Sequence, residues 1–383
     1  MKEVSQIVSG FKESIFATMS HLANQHQAIN LSQGFPDFDG PSWLIQEHKK
    51  ALDLGHQGKN QYAPSPGVLS LRQSISENYR KFYQLEFSPE TEITVTNGAT
   101  EAMFISALAL LNPGDEVVVL EPFYDSYVAS IEMAGAVAIP VTLHAPQFEL
   151  NWQELEAAFG SKTKAIYLNS PHNPSGKVFT KEELVRIGNL AKKYDSYIIS
   201  DEVYEFLTFE DAVHIPIASL EDFGERTITI SSTGKTFGLT GWKIGWACAP
   251  PALSHALRMV HQFNVFSVSH PAQVAMACAL KRIDSYLPEF RSTYSKKREL
   301  FIEGLRNCNF NPLAPAGTYF VMCPIPDQGT TDIEYCKKLI TEKKVAAIPP
   351  SAFYLKAKDG ERYLRFCFAK KDETLMAALK NLA

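Results

Sequence analysis

The chain has 383 residues, 45 % hydrophobic and 21 % charged, a composition of ordinary soluble globular proteins that excludes a disordered, collagenous or coiled-coil chain. A core of this size needs no disulfide or metal, and the length suits two domains. Lysine and arginine number 37 against 42 aspartates and glutamates, a net charge of −5, so no basic excess serves a nucleic-acid backbone or an anionic membrane.

The start, Met1-Lys2-Glu3-Val4-Ser5-Gln6, lacks the apolar stretch of a secretory signal. The longest apolar run, 102–111, is interrupted by Ser106 and is too short to span a bilayer. The six cysteines (Cys248, Cys278, Cys308, Cys323, Cys336 and Cys367) include no CxxC pair and read as small buried hydrophobes of a reducing compartment. A cytoplasmic protein without metal sites is expected. Asn30-Leu31-Ser32 matches a glycosylation acceptor only formally.

Between 91 and 232, short β-branched runs alternate with helical stretches. They are Ile93-Thr94-Val95-Thr96, Glu116-Val117-Val118-Val119-Leu120, Ala165-Ile166-Tyr167-Leu168, Tyr197-Ile198-Ile199-Ser200 and Thr227-Ile228-Thr229-Ile230-Ser231. Runs apolar on both faces, separated by helix-spaced segments such as 180–194, predict parallel strands with crossover helices. Beyond about residue 285 the texture changes. A Lys/Arg-rich helix at 293–306 precedes extended segments at Thr318-Tyr319-Phe320-Val321-Met322 and Tyr363-Leu364-Arg365-Phe366-Cys367-Phe368. The expectation is α/β: a large, mostly parallel-sheet domain over 46–284 and a smaller α+β domain formed by 1–45 plus 285–383.

In open parallel sheets, ligands bind beyond the carboxyl ends of the strands. The first run ends Thr96-Asn97-Gly98-Ala99-Thr100 at the start of a helix near Thr100. Small residues and a helix N-terminus make an anion cup, although a tight turn capped by Asn97 or Thr100 explains the same residues. Glu101 would have to point away from a phosphate there. The third run ends Asn169-Ser170-Pro171-His172-Asn173-Pro174-Ser175-Gly176, whose prolines fix Asn173 at the sheet edge. His172 reads as an exposed loop histidine. Asp201 ends the fourth run, beside Tyr204, where a buried carboxylate needs a cation or strong donor, unless it only caps the next helix. The fifth run leads into Ser232-Thr233-Gly234-Lys235-Thr236, with Lys243 eight residues beyond Lys235. A P-loop reading fails because position 229, where the first glycine is required, is Thr229.

An anion cup, a rigid asparagine, a buried aspartate and a lysine at neighbouring strand ends suit pyridoxal 5'-phosphate: lysine for the aldehyde, aspartate for the pyridinium nitrogen, hydroxyls and amides for the phosphate. These motifs, together with Thr240-Gly241-Trp242-Lys243-Ile244-Gly245 and Arg365-Phe366-Cys367-Phe368, resemble the class I, fold-type I pyridoxal-phosphate aminotransferases. Ser32-Gln33-Gly34-Phe35-Pro36-Asp37-Phe38, Asn60-Gln61-Tyr62, Pro122-Phe123-Tyr124-Asp125-Ser126-Tyr127 and Gly317-Thr318-Tyr319-Phe320 are most similar to its kynurenine/glutamine transaminase and bacterial methionine aminotransferase branch.

The resemblance implies that Lys235 is the Schiff-base lysine, Asp201 pairs with the pyridinium nitrogen, Asn173 and Tyr204 donate to the phenolate oxygen, and Tyr124 stacks on the ring. It gives the phosphate to Gly98, Ala99, Thr100, Ser232 and Lys243, and to Tyr62 from a second subunit of a homodimer. The substrate α-carboxylate goes to Arg365, with the backbone of Gly34 and Asn173. Arg362 is the rival arginine, three residues away and so expected to face the other side of the strand. Phe266 and Ser267 of the neighbouring subunit, with Phe16 as a lid, would line the side-chain pocket. The implied reaction moves the amino group of methionine, an aromatic amino acid or kynurenine to a 2-oxo acid. A cysteine-conjugate carbon–sulfur β-lyase on the same scaffold is the alternative, and a non-catalytic regulator, which would carry a DNA-binding domain, the least favoured.

Overall fold

The computed structural model describes residues 4–11, 13–327, 329–356 and 358–383; Met1, Lys2 and Glu3 of the expected N-terminal segment lie outside them. In chain order the strands are β1 (Ile29–Asn30), β2 (Ile93–Asn97), β3 (Glu116–Glu121), β4 (Val137–His144), β5 (Glu149–Leu150), β6 (Thr163–Asn169), β7 (Tyr197–Asp201), β8 (Thr227–Ser232), β9 (Ile244–Cys248), β10 (Phe320–Pro324), β11 (Val345–Ala346) and β12 (Tyr363–Cys367). Eight form one sheet in the order β2-β9-β8-β7-β6-β3-β4-β5. Its centre, from β8 to β4, is parallel, and every residue of β8 and β9 is buried. Strands covered on both faces explain why they read as unbroken apolar runs.

Two departures from the sequence pattern bear on the site. The first run, expected as a parallel strand, pairs antiparallel with β9 at the sheet edge. Strand β9 was not foreseen, because the glycines and lysine of Gly241-Trp242-Lys243-Ile244-Gly245 mimic a loop. Sheet pairing overrides their low strand propensity. β9 also runs antiparallel to β8, so it begins where β2 and β8 end, with Asn97 opposite Ile244 and Ser232 opposite Gly245. This reversal brings Lys243 to the carboxyl edge of the sheet.

The helix anticipated over 180–194 spans Lys181–Lys193, started by a capping box between Thr180 and Glu183 and buried along Leu184, Ile187, Leu190 and Ala191. The helix expected at 293–306 is longer, Ile283–Asn307, and runs through Pro288. The lost hydrogen bond falls near the helix start, and burial of Ile283, Leu287 and Phe290 outweighs it. After it, β10 and β12 pair antiparallel, while β11 pairs with β1 from the N-terminal segment. No helix among the described residues is long and apolar enough to cross a membrane.

Candidate active site at the carboxyl edge of the sheet

A cavity of about 370 Å³ opens at the carboxyl ends of β2, β6, β7 and β8, and twelve of the thirteen residues assigned to the cofactor and the α-carboxylate line it, as does Phe16. Tyr62 is the exception: it is 80 % exposed and rests edge-on against Phe266.

The helix Gly98–Leu110 begins directly at the end of β2, two residues earlier than expected. Gly98 has φ +74°, which glycine adopts without a Cβ penalty. A Cβ on Gly245 would lie 2.5 Å from the Gly98 carbonyl carbon and 2.6 Å from the Ala99 nitrogen, so only glycine lets β9 approach the helix start this closely. Asn97, the N-cap, makes no side-chain cap bond. The capped-turn explanation therefore fails for Asn97, and the first amides of the helix face the cavity as a ready anion site.

Neighbouring strands place Asn169 opposite Asp201. The Asn169 side chain donates to the Asp201 carbonyl at 2.9 Å and accepts the amide of Asn173 at 2.7 Å, which fixes Asn173 at the cavity. Asp201 is 4 % exposed and its carboxylate accepts the Tyr127 hydroxyl and the Val203 amide. Burial raises its carboxyl to about 6, opposed by those two donors and by Lys235. The carboxylate is thus held in a place that favours a cationic partner. Tyr127 carries a role the sequence did not suggest; its only signal was adjacency to Tyr124.

Lys235 sits in the short helix Thr233–Phe237 that follows β8. Its Nζ donates to the Gly34 carbonyl at 3.0 Å and lies 5.6 Å from the ring centroids of both Tyr204 and Tyr319. Burial lowers its amine to about 8, so a usable share is uncharged and nucleophilic near neutral pH. Tyr319, unassigned from sequence, donates to the same Gly34 carbonyl at 2.6 Å.

Arg365 on β12 is 1 % exposed. It donates to Asn173 Oδ1 at 3.0 Å and to the Ser32 carbonyl at 2.9 Å, and its guanidinium stacks 4.1 Å from the Phe320 ring. Its Nε is buried without a partner, an orphaned donor in a side chain that lines the cavity and has hydrogen-bonding capacity to spare for an anionic ligand. Arg362 is exposed, but not by alternation on a strand as expected: it ends the short 3-10 turn Asp359–Arg362 that precedes β12. His172 corrects the expectation of an exposed loop histidine: it is 2 % exposed, bonded to Ser175 Oγ at 2.7 Å, and burial pushes it down to about 3. Ser175 lies within its own turn, but the ring also bonds to the Pro122 backbone, far away in sequence, which sequence reading could not see.

A lysine amine, a buried carboxylate, a helix-start anion cup and an arginine with a free donor on one cavity fit pyridoxal phosphate and an amino acid, and they define a fold-type I pyridoxal-phosphate enzyme. The particular family follows from similarity. Residues 26–382 match the family of class I and II aminotransferases. The chain is 40 % identical to the methionine aminotransferase of Escherichia coli (strain K12) over 376 residues, 96 % of this chain and 95 % of that protein. It is 39 % identical to the kynurenine–oxoglutarate transaminase of Dictyostelium discoideum, over 99 % of this chain and 95 % of that protein. The solved N-succinyldiaminopimelate aminotransferase from Mycobacterium tuberculosis superposes with a TM-score of 0.95 and 40 % identity over the whole of both chains. The chain belongs to this family and is a pyridoxal-phosphate-dependent aminotransferase.

Proposed function

We propose that this aminotransferase takes the amino group from large neutral amino acids, with methionine, the aromatic amino acids and kynurenine as donors, and passes it to a 2-oxo acid. Relatives named for methionine and for N-succinyldiaminopimelate are equally similar, at 40 % identity, so similarity alone does not choose. The cavity lining carries the choice. Among the described residues its only cations are Lys235, Lys243 and Arg365, each already needed elsewhere, while Phe16, Phe35, Met103 and Phe320 line it with apolar surface. A second carboxylate on the substrate would find no further cation among these lining residues.

When bound, pyridoxal phosphate supplies an aldehyde that links to amines and a ring that takes up the electron pair left at Cα. The protein residues do the rest. Ala99, Thr100, Ser232 and Lys243 hold the phosphate at the helix start. Asp201, kept ionised by Tyr127 and Val203, holds a proton on the ring nitrogen. Asn173, whose oxygen is committed to Arg365, keeps its Nδ2 for the ring oxygen, beside Tyr204. Tyr124 covers the ring, and its phenol, pushed up to about 12 by burial, stays protonated. Lys235 would hold the aldehyde and, as a free amine beside the substrate, would take the proton from Cα and return it. Arg365 binds the α-carboxylate and so orients the Cα–H bond.

The expected division into 46–284 and 1–45 plus 285–383 fits this reading, with the N-terminal Phe16 packed 5.2 Å from the Arg365 guanidinium and 5.7 Å from Phe353. Tyr62, Phe263 (87 % exposed) and Phe266 form an aromatic surface suited to a second copy, which would receive Tyr62 in its phosphate site. Six free cysteines agree with a cytoplasmic setting.

Half-reactions followed by the cofactor spectrum test the substrate. L-methionine, L-phenylalanine and L-kynurenine are each expected to convert the enzyme to its pyridoxamine form, faster than L-aspartate or L-glutamate; preference for the dicarboxylates would overturn the reading. A cysteine conjugate split into pyruvate, ammonia and its thiol without an acceptor would instead identify the β-lyase, which no relative named above supports. Arg365→Lys keeps the charge but loses the fork, and roughly a hundredfold loss of kcat/KM is expected, mostly in KM.

A further inference from the structure

Beneath the anion cup lies a buried pair that none of the steps above uses. Glu101, in the first turn of the helix Gly98–Leu110, turns away from the cup as the sequence required. Its Oε2 accepts the Asn97 amide, and its Oε1 lies 2.7 Å from His261 Nδ1. The other ring nitrogen, Nε2, lies 2.9 Å from the Ser65 carbonyl. Both side chains are buried, His261 completely.

A carbonyl oxygen only accepts, so Nε2 carries a proton. The Nδ1···Oε1 contact needs a second proton, on the ring or on the carboxyl. Whichever atom holds it, the pair bears no net charge. Arg258, one turn before His261 on the same helix (Pro251–Asn264), contributes nothing to this balance. Its guanidinium is spent on Thr94 Oγ1 and the carbonyls of Glu90 and Ile93. Lys243 is the near cation, since a Cβ on Gly98 would meet its Nζ at 3.0 Å. Glu101 opposes the lowering of the Lys243 amine by burial, so a charge on this carboxylate is felt in the cup.

The Ser65 contact adds a mechanical link. The loop from Gln61 to Val68 is also fastened by Ser267 Oγ to the Ala63 carbonyl at 2.9 Å and by the Val68 amide to Gln273 Oε1 at 2.7 Å. That loop bears Tyr62.

We propose that His261 is a positioning residue of the phosphate site: it cancels the charge of Glu101 behind the cup and ties the cup to the loop that carries Tyr62. The proposal rests on the reading that residues 98–100 hold the cofactor phosphate. Its test compares pyridoxal phosphate with pyridoxal, which lacks the phosphate but presents the same aldehyde to Lys235, as ligands of the full-length protein freed of cofactor. In His261→Gln the uncancelled carboxylate should raise the dissociation constant for pyridoxal phosphate by about tenfold or more, with that for pyridoxal nearly unchanged. Glu101→Gln alone should not reduce the preference for the phosphate, and Glu101→Gln combined with His261→Gln should restore it. Equal weakening of both ligands, or a double variant no better than His261→Gln, would overturn the proposal. If His261→Gln does not fold, Glu101→Gln decides: a tenfold loss of phosphate preference in that variant refutes the charge argument, and an intact preference supports it. A wild-type protein that binds the two ligands equally would instead refute the phosphate assignment itself.

Discussion

Lys235→Ala is expected to give a folded protein whose transamination rate has fallen by on the order of 10⁴-fold. In the proposed function the amine is the group at the cavity that would bond to the aldehyde and then carry a proton. The other lysine there, Lys243, belongs to the cup at the helix start. Folding should survive, because a buried amine whose pKa drops from 10.5 to about 8 costs stability: the folded protein binds that proton less well, and the cost is present in full below about pH 8, fades between 8 and 10.5 and is gone above 10.5. The same shift sets how the wild-type, cofactor-free protein captures pyridoxal phosphate, with a rate that rises with pH and levels off above about 8. Single-turnover conversion with L-methionine and stopped-flow capture at several pH values check both statements. Wild-type turnover by Lys235→Ala, or a capture rate still climbing towards pH 10, would refute the role given to this amine.

Much of the site was legible because it sits where the sheet forces it to be. Asn97, Asn169, Asp201 and Ser232 each end an apolar run, and parallel strands bring such ends to one edge whatever the loops do. Lys235 follows three residues after its strand and Arg365 lies within one, so both were readable from pattern and resemblance together. The residues that escaped depend on contacts distant in sequence. Tyr127 reaches Asp201 across 74 residues and Tyr319 reaches Gly34 across 285; neither spacing nor residue type announces such a bond. Likewise β9 is a strand by virtue of its two neighbours, and the antiparallel turn that delivers Lys243 is a tertiary outcome. His261 was invisible for the same reason: its meaning lies in Glu101 and Ser65, 160 and 196 residues away.

Asp201 separates function from stability. Asp201→Ala removes the partner of the ring nitrogen, and transamination should fall by on the order of 10³-fold or more, the scale lost when a preorganised charge facing the reaction is deleted. Asp201→Asn keeps the shape and isolates the charge. In the cofactor-free protein burial lifts this carboxyl from 3.8 to about 6, so between those values the folded chain retains a proton that the unfolded chain has released. Stability therefore falls as pH rises through that window, and the cost is complete above about 6. The difference of about 2 units corresponds to about 3 kcal/mol. Urea unfolding of cofactor-free wild type and Asp201→Asn at pH 4, 5, 6 and 7 should show wild type losing ground to the variant by about that amount. Asparagine keeps an oxygen for the Val203 amide and offers its Nδ2 to the Tyr127 hydroxyl oxygen, so a charge-assisted bond becomes a neutral one, which displaces the whole curve but not its slope. Parallel curves would mean that the carboxylate is not held ionised against its burial. With pyridoxal phosphate added, the cationic ring nitrogen should stabilise wild type more than the variant, because the charge that weakens the empty fold is the one the cofactor pairs with.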